Sequence, residues 1–501
     1  MKHIISIIIC MVGSVSTEFI LAKQSKEICH KKKQIALKKT IAVIGTGYVG
    51  LVTGAGLAHF GNHVVCADID SKKIERLQYG EIPIYEPTLD ALVQRNVALG
   101  RLIFTDKVNQ AIKDADIIFI AVGTPMDEDG SADLAAVESV VRSIAKYHNG
   151  YKIIVTKSTV PIGTGKKLKA LLRESGLKDS DFALVSNPEF LREGSAVQDF
   201  LEPDRLVIGS DSSEALSAMC AIYEPLVHNK TPTVFTDITS AETIKYASNA
   251  FLATKLSFIN EVANLCDKTG ADIKTVAYAM GLDHRISPRF LNPGPGFGGS
   301  CFPKDTQALL YTAKLLDITL HTVQAALTTN KLQQLIAVNK LQALLKRENK
   351  DDTLDKKTVA VLGLAFKAQT DDIRYSPATA TIAKLLELGA TVQCYDPEAM
   401  ANTRREFPYI TYCSSAYDAV KNADAILIMT EWDEFKQLDY KYISTLVNQK
   451  IIIDTRNILD PVELKELGFV CDMVGQSYLC KNKKSKKNMV PMHVYRMISA
   501  K

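Results

Sequence analysis

Residues 40–70 constrain the chain more than any other stretch. The apolar run Ile41-Ala42-Val43-Ile44 leads directly into Gly45-Thr46-Gly47-Tyr48-Val49-Gly50, and an apolar helical pattern follows over residues 48–60. A second apolar run, His63–Ala67, ends at Asp68, 18 residues beyond Gly50. A Gly-x-Gly-x-x-Gly run is weak evidence alone. Between a strand and a helix, with an acid closing the next strand, it predicts a βαβ unit that binds a dinucleotide. Gly45 makes the turn, Gly47 lets the backbone approach the pyrophosphate, and Gly50 allows close helix packing. Tyr48 and Val49 lie in the first helical turn, whose free amides suit phosphate. Asp68 would accept from the adenosine ribose hydroxyls and repel a 2′-phosphate, so NAD is expected rather than NADP. Lys73 reads equally well as a surface lysine or a ribose contact.

The strand–helix alternation continues. Residues 116–122, 152–157, 182–186 and 205–209 are short apolar runs followed by turn signals, as in a parallel sheet buried on both faces. One doubly wound domain to about residue 235 follows. From 237 to 346 helical periodicity replaces the strand runs, notably over 240–269 and 322–346. The first is long for an ordinary helix and suits a spine between two lobes. A polar, charged stretch over 346–357 reads as a linker. A second α/β lobe then begins at 358–363 and continues through 391–395, 425–430 and 451–454. Its first turn, Gly363-Leu364-Ala365-Phe366-Lys367, lacks the full glycine pattern, so dinucleotide binding by that motif is not expected there. The expected fold class is α/β, with two Rossmann-like doubly wound lobes joined by a central helical spine. The segments are an N-terminal extension (1–39), an NAD-binding domain (40–236), a helical domain (237–346), a second Rossmann-like domain (347–478) and a basic tail (479–501).

Composition bounds the class. The chain has 501 residues, 47% hydrophobic and 23% charged, which is ordinary for a globular protein of several domains. Its net charge of +4 is unevenly spread. Residues 1–39 carry eight Lys against two Glu, and residues 481–501 carry six Lys and one Arg with no acid, which leaves the body between them at −9. Such ends read as solvated tails, with a weak anchor for anionic lipid or nucleic acid as the alternative. Neither tail interleaves aromatic residues for base stacking, and no nucleic-acid partner is expected. The run from Ile4 to Val15 resembles a secretory signal or an interfacial helix, but it is too short to span a bilayer. An upstream extension is the favoured reading, with a cytoplasmic location and no stable membrane insertion. The ten cysteines are scattered, without metal-ligand spacing or a dense disulfide pattern. They read as reduced thiols, and no metal is expected.

One of them stands apart. Cys301 lies in Gly296-Phe297-Gly298-Gly299-Ser300-Cys301-Phe302-Pro303-Lys304-Asp305, a glycine-rich turn followed by a cation and a carboxylate. A structural loop around an inert thiol and a covalent nucleophile are both compatible with it. As a nucleophile, its thiol would be held below the free value of ~8.5 by Lys304 or another nearby cation. Simple alcohol oxidation has no use for a thiol. A thiohemiacetal that yields hydride and leaves a thioester makes one useful in oxidising an aldehyde, so NAD with Cys301 points to an aldehyde dehydrogenase or a four-electron alcohol-to-acid enzyme. A single-step hydroxyacid-type dehydrogenase or a non-catalytic NAD-binding regulator would share the fold without needing Cys301.

Several motifs in order resemble the UDP-glucose/GDP-mannose dehydrogenase family. They are GTGYVG at 45–50, VGTP at 122–125, STVPIGT at 158–164, NPEFLREG at 187–194, Lys245 and Asn249 before AFLATK, GFGGSCFPKD at 296–305, GLAFK at 363–367 and Asp454-Thr455-Arg456-Asn457. They cover roughly residues 40–475, and Pro293-Gly294-Pro295-Gly296 is similar to bacterial-type members. The resemblance implies oxidation of UDP-glucose by two NAD and water to UDP-glucuronate, with GDP-mannose or a UDP-N-acetylhexosamine as alternative substrates. It implies that Cys301 carries the thiohemiacetal and thioester, and that Lys245 and Asn249 stabilise the oxyanion, Lys245 also moving a proton. Asp305 and Thr124 would hold a catalytic water, and Glu189 would activate water against the thioester. Glu193 and Lys304, with Thr124, would border the cofactor. Phe190, Leu191, Phe290, Leu291 and Gly298 would line the substrate site together with Glu189, Lys245 and Asn249. Lys367 and Arg456 would meet the diphosphate, and Arg285 would reach across a subunit interface of a homo-oligomer, dimer or larger.

Overall fold

The computed structural model describes residues 39–350 and 352–476. The N-terminal extension, apart from Lys39, and the basic tail lie outside the described residues. The first sheet contains β1 (Thr40–Ile44), β2 (His63–Ala67), β3 (Leu102–Thr105), β4 (Ile117–Ile120), β5 (Lys152–Thr156), β6 (Phe182–Ser186), β7 (Leu206–Gly209) and β8 (Thr233–Thr236). Their order is β3-β2-β1-β4-β5-β6-β7-β8, so the strand order reverses between β1 and β4. In a doubly wound sheet that reversal opens a crevice at the carboxyl ends of the strands, where ligands bind. Residues along β1 alternate between two cores: Ile41 and Val43 join one, Ala42 and Ile44 the other. A strand whose side chains point to opposite faces can do this only when helices cover both.

The sheet is not wholly parallel, which corrects the expectation for residues 205–209. β7 pairs antiparallel with β6 through Ser186 and Gly209, and parallel with β8. Between β6 and β7 lie the loop that carries Glu189 and Glu193 and a helix of only 6 residues, Ala196–Leu201. The buried Asn187 side chain then donates to the Val207 carbonyl at 2.8 Å and fixes β7 beside the end of β6.

The second sheet contains β9 (Thr358–Leu362), β10 (Thr391–Tyr395), β11 (Thr411–Tyr412), β12 (Ala425–Ile428), β13 (Ile451–Asp454) and β14 (Val470–Met473). Its order is β11-β10-β9-β12-β13-β14, every pair parallel. Asp396, just past β10, sits where Asp68 sits in the first sheet, but it is fully buried and satisfied within the protein. It accepts from the amides of Leu364 and Ala365 and from the Trp432 indole.

The expected long helix runs from Ile238 to Thr269, 32 residues. The expected helix over 322–346 is two helices, His321–Gln333 and Ile336–Asn349. At the break the Gln334 carbonyl accepts from Thr381 Oγ1 at 3.4 Å and its side chain donates to the carbonyls of Phe297 and Tyr375. Side-chain and backbone partners outside the helix thus replace the regular ladder, without a Pro or Gly.

The chain divides into two compact units. One comprises the residues up to Leu252 with Ser300–Gln324 and Gln369–Asp371; the other comprises Ala253–Gly299, Ala325–Ala368 and the residues from Asp372 on. Cys66, Cys266, Cys301, Cys394, Cys413 and Cys471 are free thiols.

Candidate active site

In the first unit, the turn after β1 shows why glycine recurs. Gly45 has φ of +100°, and a Cβ there would lie 2.6 Å from the Ala121 carbonyl oxygen. A Cβ on Gly50 would lie 1.9 Å from the Gly45 oxygen, whereas one on Gly47 would meet nothing within 4 Å. Gly45 and Gly50 therefore serve the fold, and Gly47 leaves open space at the start of helix Tyr48–His59. The Tyr48 and Val49 side chains pack against the core, leaving the amides of that first turn as the phosphate-facing groups. Asp68 ends β2 and collects donors: Thr46 N at 2.8 Å, Thr46 Oγ1 at 2.7 Å, Lys73 Nζ at 3.0 Å and Asp70 N at 3.1 Å. Burial opposes its charge, but those hydrogen bonds hold the carboxyl below its ordinary range. Lys73 is thus the ion-pair partner of Asp68 at the end of β2. An ionised acid beside open space at a helix N-terminus fits NAD.

Further along the same unit, Lys245 and Asn249 project from helix Ile238–Thr269, one turn apart. Lys245 Nζ lies 2.7 Å from Glu189 Oε1, with both side chains 4% exposed. Asn249 Nδ2 donates to Asp305 Oδ2 at 2.6 Å, and Lys304 Nζ donates to Asp305 Oδ1 at 2.7 Å. Burial works against the charge on Glu189, yet the Lys245 ammonium and the Leu191 amide outweigh it and hold the carboxyl below its usual range. Burial likewise works against the charge on Lys245, and Glu189, Cys301 and Asp305 together raise its pKa above the usual lysine value. The pair is therefore an ionised one. Phe190 lies between two cations, with the Arg205 guanidinium 3.6 Å and Lys245 Nζ 5.5 Å from the ring centroid.

Cys301 is the residue before helix Phe302–Leu315, and the Asp305 amide donates to its carbonyl at 2.8 Å. Its Sγ lies 3.6 Å from Ser300 Oγ, which also donates to Glu193 Oε1 at 3.1 Å. Glu193 takes a second hydrogen bond from Thr370 Oγ1 at 3.2 Å and so steadies the turn beside the thiol. The expectation of a thiol held below its free value is overturned. Burial pushes Cys301 up to about 11; Lys245 pulls it down, while Glu189, Asp305 and Glu193 push it further up. Lys304, the cation nearest in sequence, is the partner of Asp305. Thr124 is buried, and its hydroxyl donates to the Thr159 carbonyl at 2.8 Å.

In the second unit, Arg456 is oriented by three acceptors: the Met429 carbonyl at 2.8 Å, the Phe366 carbonyl at 2.7 Å and Glu431 at 3.1 Å. Lys367 Nζ lies 5.5 Å from the Phe366 ring centroid. A Cβ on Gly294 would come within 3.5 Å of Arg456 Nη1, and one on Gly298 within 2.3 Å of the Tyr375 carbonyl oxygen. The glycine-rich loop therefore runs beside Arg456 and the Phe366 ring. Phe290 adopts φ of 63° in this loop. Leu291 is buried in a small core with Ile259 and Ala263, so its side chain faces protein. Arg285 is exposed and pairs with Asp283 at 2.6 Å.

Three family models match in succession: the UDP-glucose/GDP-mannose dehydrogenase NAD binding domain over residues 39–227, the central domain over 239–332 and the UDP binding domain over 360–461. The chain belongs to this family. UDP-glucose 6-dehydrogenases of Bacillus subtilis and Rhizobium meliloti are 45% and 46% identical to it over 439 residues, covering 87% of this chain and 93% and 99% of theirs. Among solved structures, a UDP-glucose dehydrogenase of Pyrobaculum islandicum superposes with a TM-score of 0.79 at 37% identity, covering 85% of this chain and 96% of its own.

Two groups at this site escaped the sequence reading. Glu86, buried, accepts from Tyr48 Oη and from the amides of Gly194 and Ala196, tying the dinucleotide turn to the Glu193 loop. Lys157, also buried, donates to Asn187 Oδ1 at 3.2 Å. A lysine closing the apolar strand Ile153-Ile154-Val155-Thr156 was a readable signal, since lysine is rarely buried without a partner.

Proposed function

We propose that this protein is an NAD-dependent UDP-glucose 6-dehydrogenase that converts UDP-glucose, two NAD and water to UDP-glucuronate through a thioester on Cys301. The observation that carries the reading is the buried, ionised Lys245–Glu189 pair grouped with Asn249, Asp305 and Cys301. Residues 40–236 hold NAD, 237–346 supply Lys245, Asn249 and the cysteine turn, and 347–478 bind UDP.

NAD, when bound, accepts hydride from C6 of the sugar in each of the two oxidations. Lys245 is held protonated, which suits it to stabilising a developing oxyanion rather than to acting as a base. Asp305, with Lys304 and Asn249 as donors, takes the hydroxyl proton through a water that it shares with Thr124. The Cys301 thiol then adds to the C6 aldehyde. As the S–C bond forms, the thiol proton passes to the aldehyde oxygen, which Lys245 and Asn249 hold as donors; loss of the C6 hydride, and of that hydroxyl proton to the water held by Asp305, would then leave the thioester. With Lys245 engaged on that oxygen, the Glu189 carboxylate is released to take a proton from water attacking the thioester. The C–S bond then breaks and the thiol is restored.

The experiment is the ratio of NADH formed to UDP-glucose consumed. The expected value is two, and Cys301→Ser abolishes acid formation while NAD titration stays close to wild type. A ratio of one, or turnover confined to GDP-mannose or a UDP-N-acetylhexosamine, overturns the assignment.

A further inference from the structure

Lys157 is a buried ionisable group with no part in the chemistry above. It follows β5 directly, and its ammonium donates to Asn187 Oδ1 at 3.2 Å. The same oxygen accepts from Tyr223 Oη at 2.8 Å, and the Asn187 amide nitrogen donates to the Thr156 carbonyl at 3.0 Å. Asn187 opens the segment whose third residue is Glu189, and it is fully buried. Its backbone amide is thus held from β5, and its side chain by Lys157, by Val207 of β7, and by Tyr223, which follows helix Ser213–Ile222. That is far more restraint than a loop residue needs for packing alone.

We propose that Lys157 is a positioning residue for thioester hydrolysis: its ammonium anchors Asn187 and adds a second positive charge beside Glu189, which keeps that base ionised and aimed at the attacking water. The proposal rests on the two-step oxidation described above. Glu189 lies two residues beyond the Asn187 that Lys157 holds, and the Lys157 charge acts on its carboxyl in the same sense as Lys245 does. The groups acting on Glu189 are Lys245 from helix Ile238–Thr269, Lys157 just past β5 and the Leu191 amide, and Glu189 in turn acts on Cys301. Those acting on Lys157 are Glu189, which favours its charge, and Lys245, which opposes it; burial is the largest influence and brings it down to about 8. Lys157 is therefore charged at neutral pH and loses its proton just above it.

Lys157→Gln keeps a donor for Asn187 and removes only the charge. The acidic limb of kcat then moves to higher pH by about one unit, because a base that has lost a neighbouring cation binds its proton more tightly. The Cys301 thioester accumulates in single turnovers, detected by intact mass, while the KM for UDP-glucose stays within threefold. Lys157→Arg restores the limb. An unmoved acidic limb in Lys157→Gln, or no accumulation of the Cys301 thioester in its single turnovers, overturns the proposal. A wild-type ratio of one NADH per UDP-glucose would instead overturn the reaction on which it rests.

Discussion

At the scale of single residues, the state of Cys301 decides how the site is used. A thiol pushed up to about 11 is uncharged at neutral pH, so Cys301 is predicted to react slowly with alkylating agents there. Because burial raises the pKa, the reactive thiolate fraction grows with pH until that value is reached. The rate of iodoacetamide labelling of Cys301 is therefore expected to rise about tenfold per pH unit from 7 to 10. A plateau near pH 8.5 would contradict the burial argument. Lys245 is the group that lowers the thiol, so Lys245→Met slows labelling further at every pH in that window. The assignment of Lys304 as the thiolate partner failed for a simple reason. Adjacency in sequence places Lys304 on the first turn of a helix, and there Asp305 claims it.

Elements explain which glycines are structural. Gly50 has no room for a Cβ, and overpacking of a tight site costs about 1–3 kcal/mol. Gly50→Ala is expected to lower Tm by several degrees. Gly47→Ala meets nothing within 4 Å, so it leaves Tm within about two degrees of wild type. It does weaken NAD binding, by about tenfold or ~1.4 kcal/mol, since the methyl would stand where the pyrophosphate approaches. Equal losses of Tm in the two variants would refute the distinction. The same scale shows what could be read in advance. β1, β4 and β5 are continuous apolar runs with buried partners on both faces, and their positions follow from hydropathy alone. The edge strands β3 and β8 were missed because one face meets solvent or polar neighbours: Ile103 is 54% exposed, and all of β8 is only partly buried. The antiparallel β6–β7 pairing depends on Asn187 reaching Val207, a long-range contact no local pattern reports. Lys245, Asn249, Glu189 and Cys301 were legible as a set because the family motifs carry them. Glu86 was not, since its role arises from what surrounds it once the chain is folded, and Lys157 could be read only as a lysine at the end of an apolar strand, not as the partner of Asn187.

For the whole molecule, the outer surface of helix Ile238–Thr269 is informative. Phe251, Phe258 and Leu265 are 66%, 50% and 61% exposed and recur every seven residues, which places them along one face. If the chain forms the expected homo-oligomer, this apolar stripe is the face predicted to meet a second copy. Phe258→Glu should reduce the mass measured by light scattering to that of a single chain, and an unchanged mass would dismiss the stripe as the contact. Arg285, exposed and held by Asp283, is available to such a partner. Among the described residues no helix is long and apolar enough to cross a membrane.

The carboxylate of Asp68, fixed by Thr46, Asp70 and Lys73, has a reach beyond the crevice it closes. As the acid expected to repel a 2′-phosphate, it would commit all four electrons of each turnover to NAD rather than NADP, so that a single side chain at the end of one strand would set which carrier is reduced.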